Sequence, residues 1–543
     1  MRYCYFIFGT FLISTPVLAT TYEVVATDTV NDGIIFSSDT QIVHGIVNNF
    51  IIEGTQNILD YGKVYNNTIS GVQNIYYDGS AFDTLAQNAT INIYSGGLSN
   101  NLTAQNSNIN LYSGAKLTAD TILQNSFLYV YDNNQLDNLI LDNATVINNQ
   151  EQNLNIANLS GNGNFVIKTK LSDVDANLLN INTGSGNFGL KLLDTSTDFD
   201  VPDKINILPK NSQNQETFYL VGNQMDIGAK KYVLEQNNNF WYLQETLNYT
   251  DTALIAKDTY ATLSSVLYSH LDNIYNRMGE FRFNQNSGIW IRGLGKKLKF
   301  ELNQNTKTDI DILGFQIGTD YKLSVGKLGI SGAYTDSEQK FKLAGKGWGK
   351  TYSVSLYATF LNQKDAYLDI VGTYYRHHQK LKTFTPSAFA IHAKYNLNAY
   401  SFSAQLGHRL KFNRGYFVEP QIQGLYMNID NIFYKTNLNT PIKGYGLDST
   451  MIRTGLMFGK TWQNFAQTHI LFDIIKEFDT KSKIKVASTL FNEKLDGTFF
   501  KLSGGFDVLI NQKSKAFINI ATMFGNDNVK IPIEANLGLK WEF

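Results

Sequence analysis

The 543-residue chain holds one cysteine, Cys4, and only seven prolines. A lone cysteine cannot pair within the chain, so no disulfide framework staples this fold. No stretch beyond the amino terminus approaches the roughly 20 apolar residues that a spanning helix needs, and the mean hydropathy is −0.21. A helical membrane protein is therefore excluded. Residues 20–250 contain no arginine and a single histidine, His44; their nine lysines against 23 acids give −14. So acidic a region is a poor partner for nucleic acid, whose phosphates need cations. Residues 251–543 carry 36 Lys/Arg against 24 acids, giving +12. Opposite balances imply two physical environments, and the length implies two or more domains.

What the chain does have begins with a secretory signal over residues 1–19. Arg2 supplies the positive end, Phe6 to Leu12 the apolar core, and Val17-Leu18-Ala19 a small-residue site that predicts cleavage between Ala19 and Thr20. Cys4 precedes the apolar core, which argues against a lipid-anchored terminus, and the processed chain would be cysteine-free.

From about residue 50 to 160 an imperfect repeat runs through an Asn-rich tract. Tyr-initiated turns start at Tyr61, Tyr77, Tyr94, Tyr112 and Tyr131, and between them lie alternating stretches such as Ala89–Tyr94 and Ser107–Tyr112. A strand-plus-turn unit of this period is a solenoid rung, which buries its apolar side only by stacking on neighbours. Asparagine tolerates the left-handed corners that rungs need, and stacked asparagines form side-chain ladders.

From Asp251 to Arg282 the period becomes helical, with Leu263, Val266, Leu267, Leu271 and Ile274 on one face. About 27 residues at 1.5 Å each would cross a bilayer, yet Lys257, Asp258, His270, Asp272 and Asn273 are too polar to meet lipid. Such a helix fits inside a pore. After Gly288 the pattern is strand, turn, strand. Leu313, Phe315, Ile317, Thr319 and Tyr321 alternate with smaller or polar residues, as do Tyr352, Val354, Leu356, Ala358 and Phe360, and so does Val418 to Tyr426. One lipid-like face opposite one wet face is the signature of transmembrane strands, and the length allows some twelve of them. The last strand places Leu537, Leu539, Trp541 and Phe543 on one face, opposite Asn536, Gly538, Lys540 and Glu542. An amphipathic strand ending on an aromatic carboxy-terminal residue resembles the assembly signal of bacterial outer-membrane barrels.

Between 158 and 250, the blocks Leu159–Lys168, Ala176–Asn182, Gly186–Lys191, Phe218–Val221, Ala229–Glu235 and Asn239–Leu243 resemble, in order, the carboxy-terminal part of pertactin-like autotransporter passengers. There it forms the last rungs and acts as a folding nucleus. Asn276–Arg282, Gly288–Gly295, Phe417–Gln421, Leu447–Leu456 and Leu495–Thr498 are similar to blocks of the matching barrel. The whole order resembles a monomeric, type V secretion autotransporter of Gram-negative bacteria.

That resemblance implies an all-β chain: a right-handed parallel β-helix passenger, then a 12-stranded antiparallel transmembrane barrel with a helix threaded through its pore. The expected division is signal peptide 1–19, repeat-rich solenoid 20–157, folding-nucleus region 158–250, pore linker 251–284 and barrel 285–543. It further implies an outer-membrane location with the passenger on the surface, a monomeric barrel, outer-membrane lipid around it, and dependence on barrel-assembly machinery and periplasmic chaperones. In relatives that release the passenger, cleavage falls between two asparagines of the linker. The matching positions here are Asp272 and Asn273, and an ionised aspartate is a poor cyclising nucleophile.

Chemistry is sparse in the first half. A catalytic triad would have to use His44, no Gly-x-Ser-x-Gly elbow is present, and no Walker-type phosphate loop occurs anywhere. His44 reads as a turn or surface residue. Asp28, Asp32 and Asp39 are too loosely spaced for a calcium loop, and His377-His378 reads as a strand end without metal partners. The expectation is no enzyme, no metal and no cofactor. The function expected is display of a short surface passenger for adhesion or cell–cell aggregation to an unspecified surface ligand. The alternatives are a released virulence factor or enzyme, or a structural coat protein.

Overall fold

The computed structural model describes residues 19–131, 135–149, 153–171, 176, 178–196, 201–211, 214–282, 286–463, 465–478, 480–525 and 528–543. The signal segment before Ala19, with Cys4, lies outside the described residues. The chain divides into two units, one of residues up to 196 with 202–225 and 232–245, the other of 226–231 and 246–543.

The first unit is a parallel solenoid of about eight turns. Thr55–Ile58, Val72–Ile75, Thr90–Ile93, Asn108–Leu111 and Phe127–Val130 pair in parallel, each with the strand one rung on. Alternation sends Ile58, Ile75, Ile93, Leu111 and Val130 inward, where they are fully buried against each other. At the amino-terminal rungs a second inward column is polar. Gln56 Nε2 donates to Gln41 Oε1 at 2.7 Å and Gln73 Nε2 to Gln56 Oε1 at 2.8 Å, so these amides answer one another along the axis and the burial is tolerated. Corners also form columns. Asp32, Asn49, Asn66, Asp83 and Asn101 all have φ between 52° and 60°, the left-handed region that Asn and Asp enter most readily after glycine.

The ladder is phased differently from the Tyr spacing at the first two turns, by two residues at Tyr61 and by one at Tyr77. Ile75 pairs with Ile93, so the residue that aligns with Tyr94 is Tyr76. Tyr77 is an exposed turn residue, as is Tyr61. Strand register, set by the buried isoleucines, overrides the turn motif.

Toward the end of this unit the strands lengthen to Leu154–Thr169 and Leu179–Asp194, followed by Gln215–Leu220 in parallel. Their interior is aromatic. Phe165, Phe188, Phe218 and Trp241 form a chain of ring contacts with centroids 5.9, 5.9 and 5.7 Å apart. Trp241 belongs to Phe240–Tyr249, which pairs antiparallel with Lys204–Pro209. An open solenoid end exposes core and unpaired strand edge; here a change to antiparallel pairing covers it.

In the second unit twelve long strands, counted among the described residues, pair antiparallel in chain order. Gly288–Leu302 closes the ring on Val529–Glu542, with Gly288 opposite Glu542. Closure leaves no sheet edge, the condition for spanning lipid with strands. Leu313, Phe315, Ile317, Val354 and Leu356 point outward, while Gln316, Ser353, Ser355, Glu419 and Gln421 are buried inside. Leu537, Leu539, Trp541 and Phe543 lie on the outer face, and Asn536, Lys540 and Glu542 on the inner. Four short strands, Ile432–Lys435, Pro441–Gly444, Lys481–Val486 and Thr489–Lys494, form a separate small sheet.

The linker is inside the barrel, but it is not one continuous helix. It forms Asp251–Ala261, Leu263–Leu267 and Ile274–Met278, separated by turns. Asn273 is the reason for the last break. Its extended backbone (φ −66°, ψ 165°) and its side chain, which accepts from Asn276 N, make it an N-cap. The periodicity of Leu263 to Ile274 reads through this break because the apolar face continues across it. His377 and His378 lie within Ala366–Phe384, away from a strand end. His377 turns inward to Thr351 and Gln379, and His378 outward to Asn396.

Candidate functional site

Two features have the makings of a site: the plug in the barrel lumen and one face of the solenoid. The plug is tied at both ends. Near its start Lys257 Nζ donates to Asn303 O at 2.7 Å and pairs with Glu493 at 2.6 Å, while Asp258 accepts from Thr306 and Thr308 at 2.9 and 3.0 Å. Thr252 and Thr383 share a hydroxyl bond of 2.7 Å. At the other end Arg409 bridges two buried carboxylates, Glu280 at 2.6 Å and Glu419 at 2.8 Å, and its ring of partners includes the Tyr275 hydroxyl at 3.0 Å. Arg282 also pairs with Glu419, Arg277 with Asp369, and the Glu280 amide donates to Asp507. Glu493, Asp258, Glu280, Glu419 and Asp369 are each compensated by a Lys or Arg, the condition under which a buried charge is tolerable. Asp507, by contrast, has only His469 within ion-pair distance among the described residues, at 3.6 Å.

Between these ends sits the linker junction. Asp272 Oδ1 accepts from Asn273 N at 2.8 Å, and Oδ2 from Asn276 Nδ2 at 2.7 Å. Arg453 and Lys501 stand 3.6 and 3.8 Å from Oδ1. A small cavity of about 60 Å³ lies beside Asp272, Lys501 and Tyr268, room for a few waters. Where the linker begins, Lys231 pairs with Asp251 at 2.8 Å. Asp226 sits beside them with both carboxylate oxygens buried and unpartnered. Burial pushes its carboxyl up to about 7, with Lys231 opposing.

The solenoid face is built by the outward positions of the strands that bury Ile58 to Val130. Asn74 Nδ2 donates to Asn57 Oδ1, Asn92 to Asn74 and Asn110 to Asn92, at 2.7–2.8 Å. Two residues further on, Tyr76, Tyr94, Tyr112 and Tyr131 stack with centroids 4.7–4.9 Å apart and rings within 8° of parallel. The third column is Thr55, Val72, Thr90, Asn108 and Phe127. All three are half-buried or exposed, and from Thr55 to Tyr131 none carries a charge. Because the tyrosines cover each other's faces, they present edges and hydroxyls. Burial in the stack pushes the Tyr94 phenol up, so it remains a neutral donor.

His44 stands 3.5 Å from Asp60 and 3.9 Å from Glu23, all partly exposed. Asp39 accepts from Thr20 N at 2.9 Å. Among the described residues no three His, Cys, Asp or Glu side chains are grouped to hold a metal ion. Ala19 and Thr20 lie just before the first strand, and the Phe543 amide donates to Ser287 O. Reasoning from sequence did not find Arg409, Glu280, Asp369 or Asp507; inward parity was the only available signal for Asp369 and Asp507, and Glu280 and Arg409 lie outside the strands.

A model of the autotransporter β-domain family matches residues 289–521, and a model of the pertactin family matches residues 135–245. The pertactin autotransporter of Bordetella parapertussis is 26% identical over 253 residues, 45% of this chain and 27% of that protein. The BrkA autotransporter of Bordetella pertussis is 22% identical over 406 residues, 72% of this chain and 40% of that protein. The transport unit of AIDA-I from Escherichia coli is similar with a TM-score of 0.46 and 20% identity, over 53% of this chain and 99% of that one. The chain thus spans less than half the length of these curated relatives.

Proposed function

We propose that this chain, which belongs to the pertactin-like autotransporters, uses its solenoid as a tethered, non-enzymatic adhesive surface. The barrel resides in the outer membrane with the solenoid outside. The observation that supports adhesion is the uncharged ladder face on a region of net charge −14. Acidic surfaces repel, but amide and hydroxyl rows repeated every rung offer many weak bonds to a glycan, another cell or a second copy without bringing like charges together. Replacing Asn92, Tyr94 and Tyr112 together by aspartate in a chain expressed on a non-adherent host should abolish clumping and cell binding. Clumping equal to that of the unaltered chain would sink the adhesive reading.

Tethering rests on Asp272. A carboxylate there offers no amide nitrogen to attack its own carbonyl carbon, and its oxygens are engaged by Asn273 N and Asn276 Nδ2. No fragment ending at residue 272 should appear in culture fluid, whereas Asp272→Asn, which restores an amide, should release some. Export needs no nucleotide site on this reading. The chain leaves as an unfolded hairpin, and stacking of the aromatic cap outside disfavours return. Deleting residues 218–243 should leave a folded barrel and a protease-sensitive solenoid; a resistant one would refute the role of the cap. Barrel-assembly machinery and periplasmic chaperones are its expected partners before that step.

A further inference from the structure

We propose that the barrel carries, on its outer wall, a binding site for the phosphates of a phosphorylated glycolipid in the outer leaflet. The proposal rests on the outward face of Gly345–Leu361, Ala366–Phe384 and Ala390–His408. Along these strands the outward positions change abruptly. Val354, Leu356 and Phe402 form a lipid-exposed band, and Tyr352, Tyr374 and Tyr400 border it, all exposed. Beyond the tyrosines the outward residues are cationic or neutral, and the one acid on these three strands, Asp369, is buried on the lumen side.

Which leaflet this end meets follows from the plug. Thr383, next to Lys382, bonds Thr252 at the linker's first turn, and Lys257 reaches the Asn303 carbonyl at the same end. That is the end at which the chain comes from the solenoid into the barrel, and so the outer side of the membrane. The cations continue the lipid-facing surface outward to headgroup level.

Register makes the cluster unusual. Lys346 lies opposite Lys382, and Lys380 opposite Lys394. Like charges directly opposed on one sheet face are unfavourable, and here two pairs are adjacent. The next strand offers partial relief. Asp336 stands 3.9 Å from Lys350, and Glu338 4.0 Å from Lys346 while also serving Lys340 at 3.5 Å. Lys380 and Lys394 have no acidic partner within ion-pair distance among the described residues. An open hollow of about 720 Å³ adjoins Lys380, lined by Trp348, Lys350 and His378 and by the acids Asp311, Asp336 and Glu338, so the cationic surface free of acids is the part toward Lys394. An anion held between Lys380 and Lys394, which face each other in register, relieves their repulsion, and lysine is a ready point-charge partner for phosphate. Acyl chains of the same molecule would lie on the apolar band below the tyrosines. A site that offers both halves selects an amphiphile over free phosphate.

The full chain, reconstituted in phosphatidylcholine nanodiscs, tests this with bisphosphorylated lipid A as probe. Its dephosphorylated form and millimolar inorganic phosphate are the comparison arms. The expected result is a rise in barrel unfolding temperature with the phosphorylated lipid alone. Lys380→Ala with Lys394→Ala should weaken the apparent affinity roughly thirtyfold, and Lys476→Ala, an exposed lysine on another strand, should leave it unchanged. An equal response to the dephosphorylated lipid, full stabilisation by inorganic phosphate, or an unaltered affinity in the double variant would each overturn the proposal. The lipid comparison on the unaltered chain stands even if the double variant fails to fold.

Discussion

In the solenoid, Asn92 bonds Asn74 on one rung and Asn110 on the other, and its neighbours repeat the arrangement. In the barrel lumen, Glu419 answers Arg409, Arg282 and Tyr275, a combination found nowhere else among the described residues. The solenoid uses neutral bonds many times over, each replaceable by the next. The barrel uses ionic bonds once, each holding a particular stretch of linker. A surface array can lose one member and keep its form; a plug that must seal a pore depends on each contact.

That contrast is sharpest when a lumen charge loses its partner. Arg409→Ala leaves Glu280 and Glu419 with Arg282 alone as their shared cation and should cost about 3–5 kcal/mol. The check is the temperature at which the compact barrel band converts to the unfolded one on a gel. A loss no larger than for a surface residue would erase the distinction. Next in size comes the aromatic cap, where the solenoid stops repeating. Phe188→Ala removes a ring packed between Phe165 and Phe218 and should cost about 3–4 kcal/mol, read as faster proteolysis of the displayed solenoid with the barrel unaffected.

Asp226 tests charge burial outside the pore. Its folded carboxyl titrates near 7 against 3.8 when free. The folded state therefore holds a proton that the unfolded chain gives up, and stability present below about pH 4 is lost as pH rises toward 7. Asp226→Asn should stabilise by about 1–2 kcal/mol at pH 8 and hardly at pH 4. A pH-independent effect would show that packing, not ionisation, is responsible. Smallest of all, Asn92→Ala should cost about 1 kcal/mol or less, since Asn74 and Asn110 keep their other neighbours. A loss comparable to that of Arg409→Ala would mean the ladder is as irreplaceable as the plug.

Much of the fold was legible because period-two alternation survives in both units. Leu537, Leu539, Trp541 and Phe543 lie on the outer face as their spacing predicts, and Glu419 faces inward. Local motifs were less reliable where long-range register competes with them. The turn signature at Tyr77 is out of phase with the ladder because Ile75 fixes the register and brings Tyr76 into line. The helix break at Asp272-Asn273 was hidden because the apolar spacing continues through it, while two short polar side chains compete for the backbone amides. The lumen network was illegible for a different reason. Glu280 and Arg409 meet across 129 positions, and no local pattern specifies which inward cation answers which inward acid.

The corner columns have a consequence for how such a protein changes over generations. Asp32, Asn49, Asn66, Asp83 and Asn101 recur once per rung with the same left-handed backbone, so each of these five rungs carries its own instructions for turning. Duplicating or deleting one whole rung alters solenoid height by about 4.8 Å, one strand spacing, and leaves the remaining contacts alike in kind. The barrel has no such freedom, because its first strand must meet its last. Solenoid length is therefore adjustable in single steps by gene-level duplication, while the anchor stays constant.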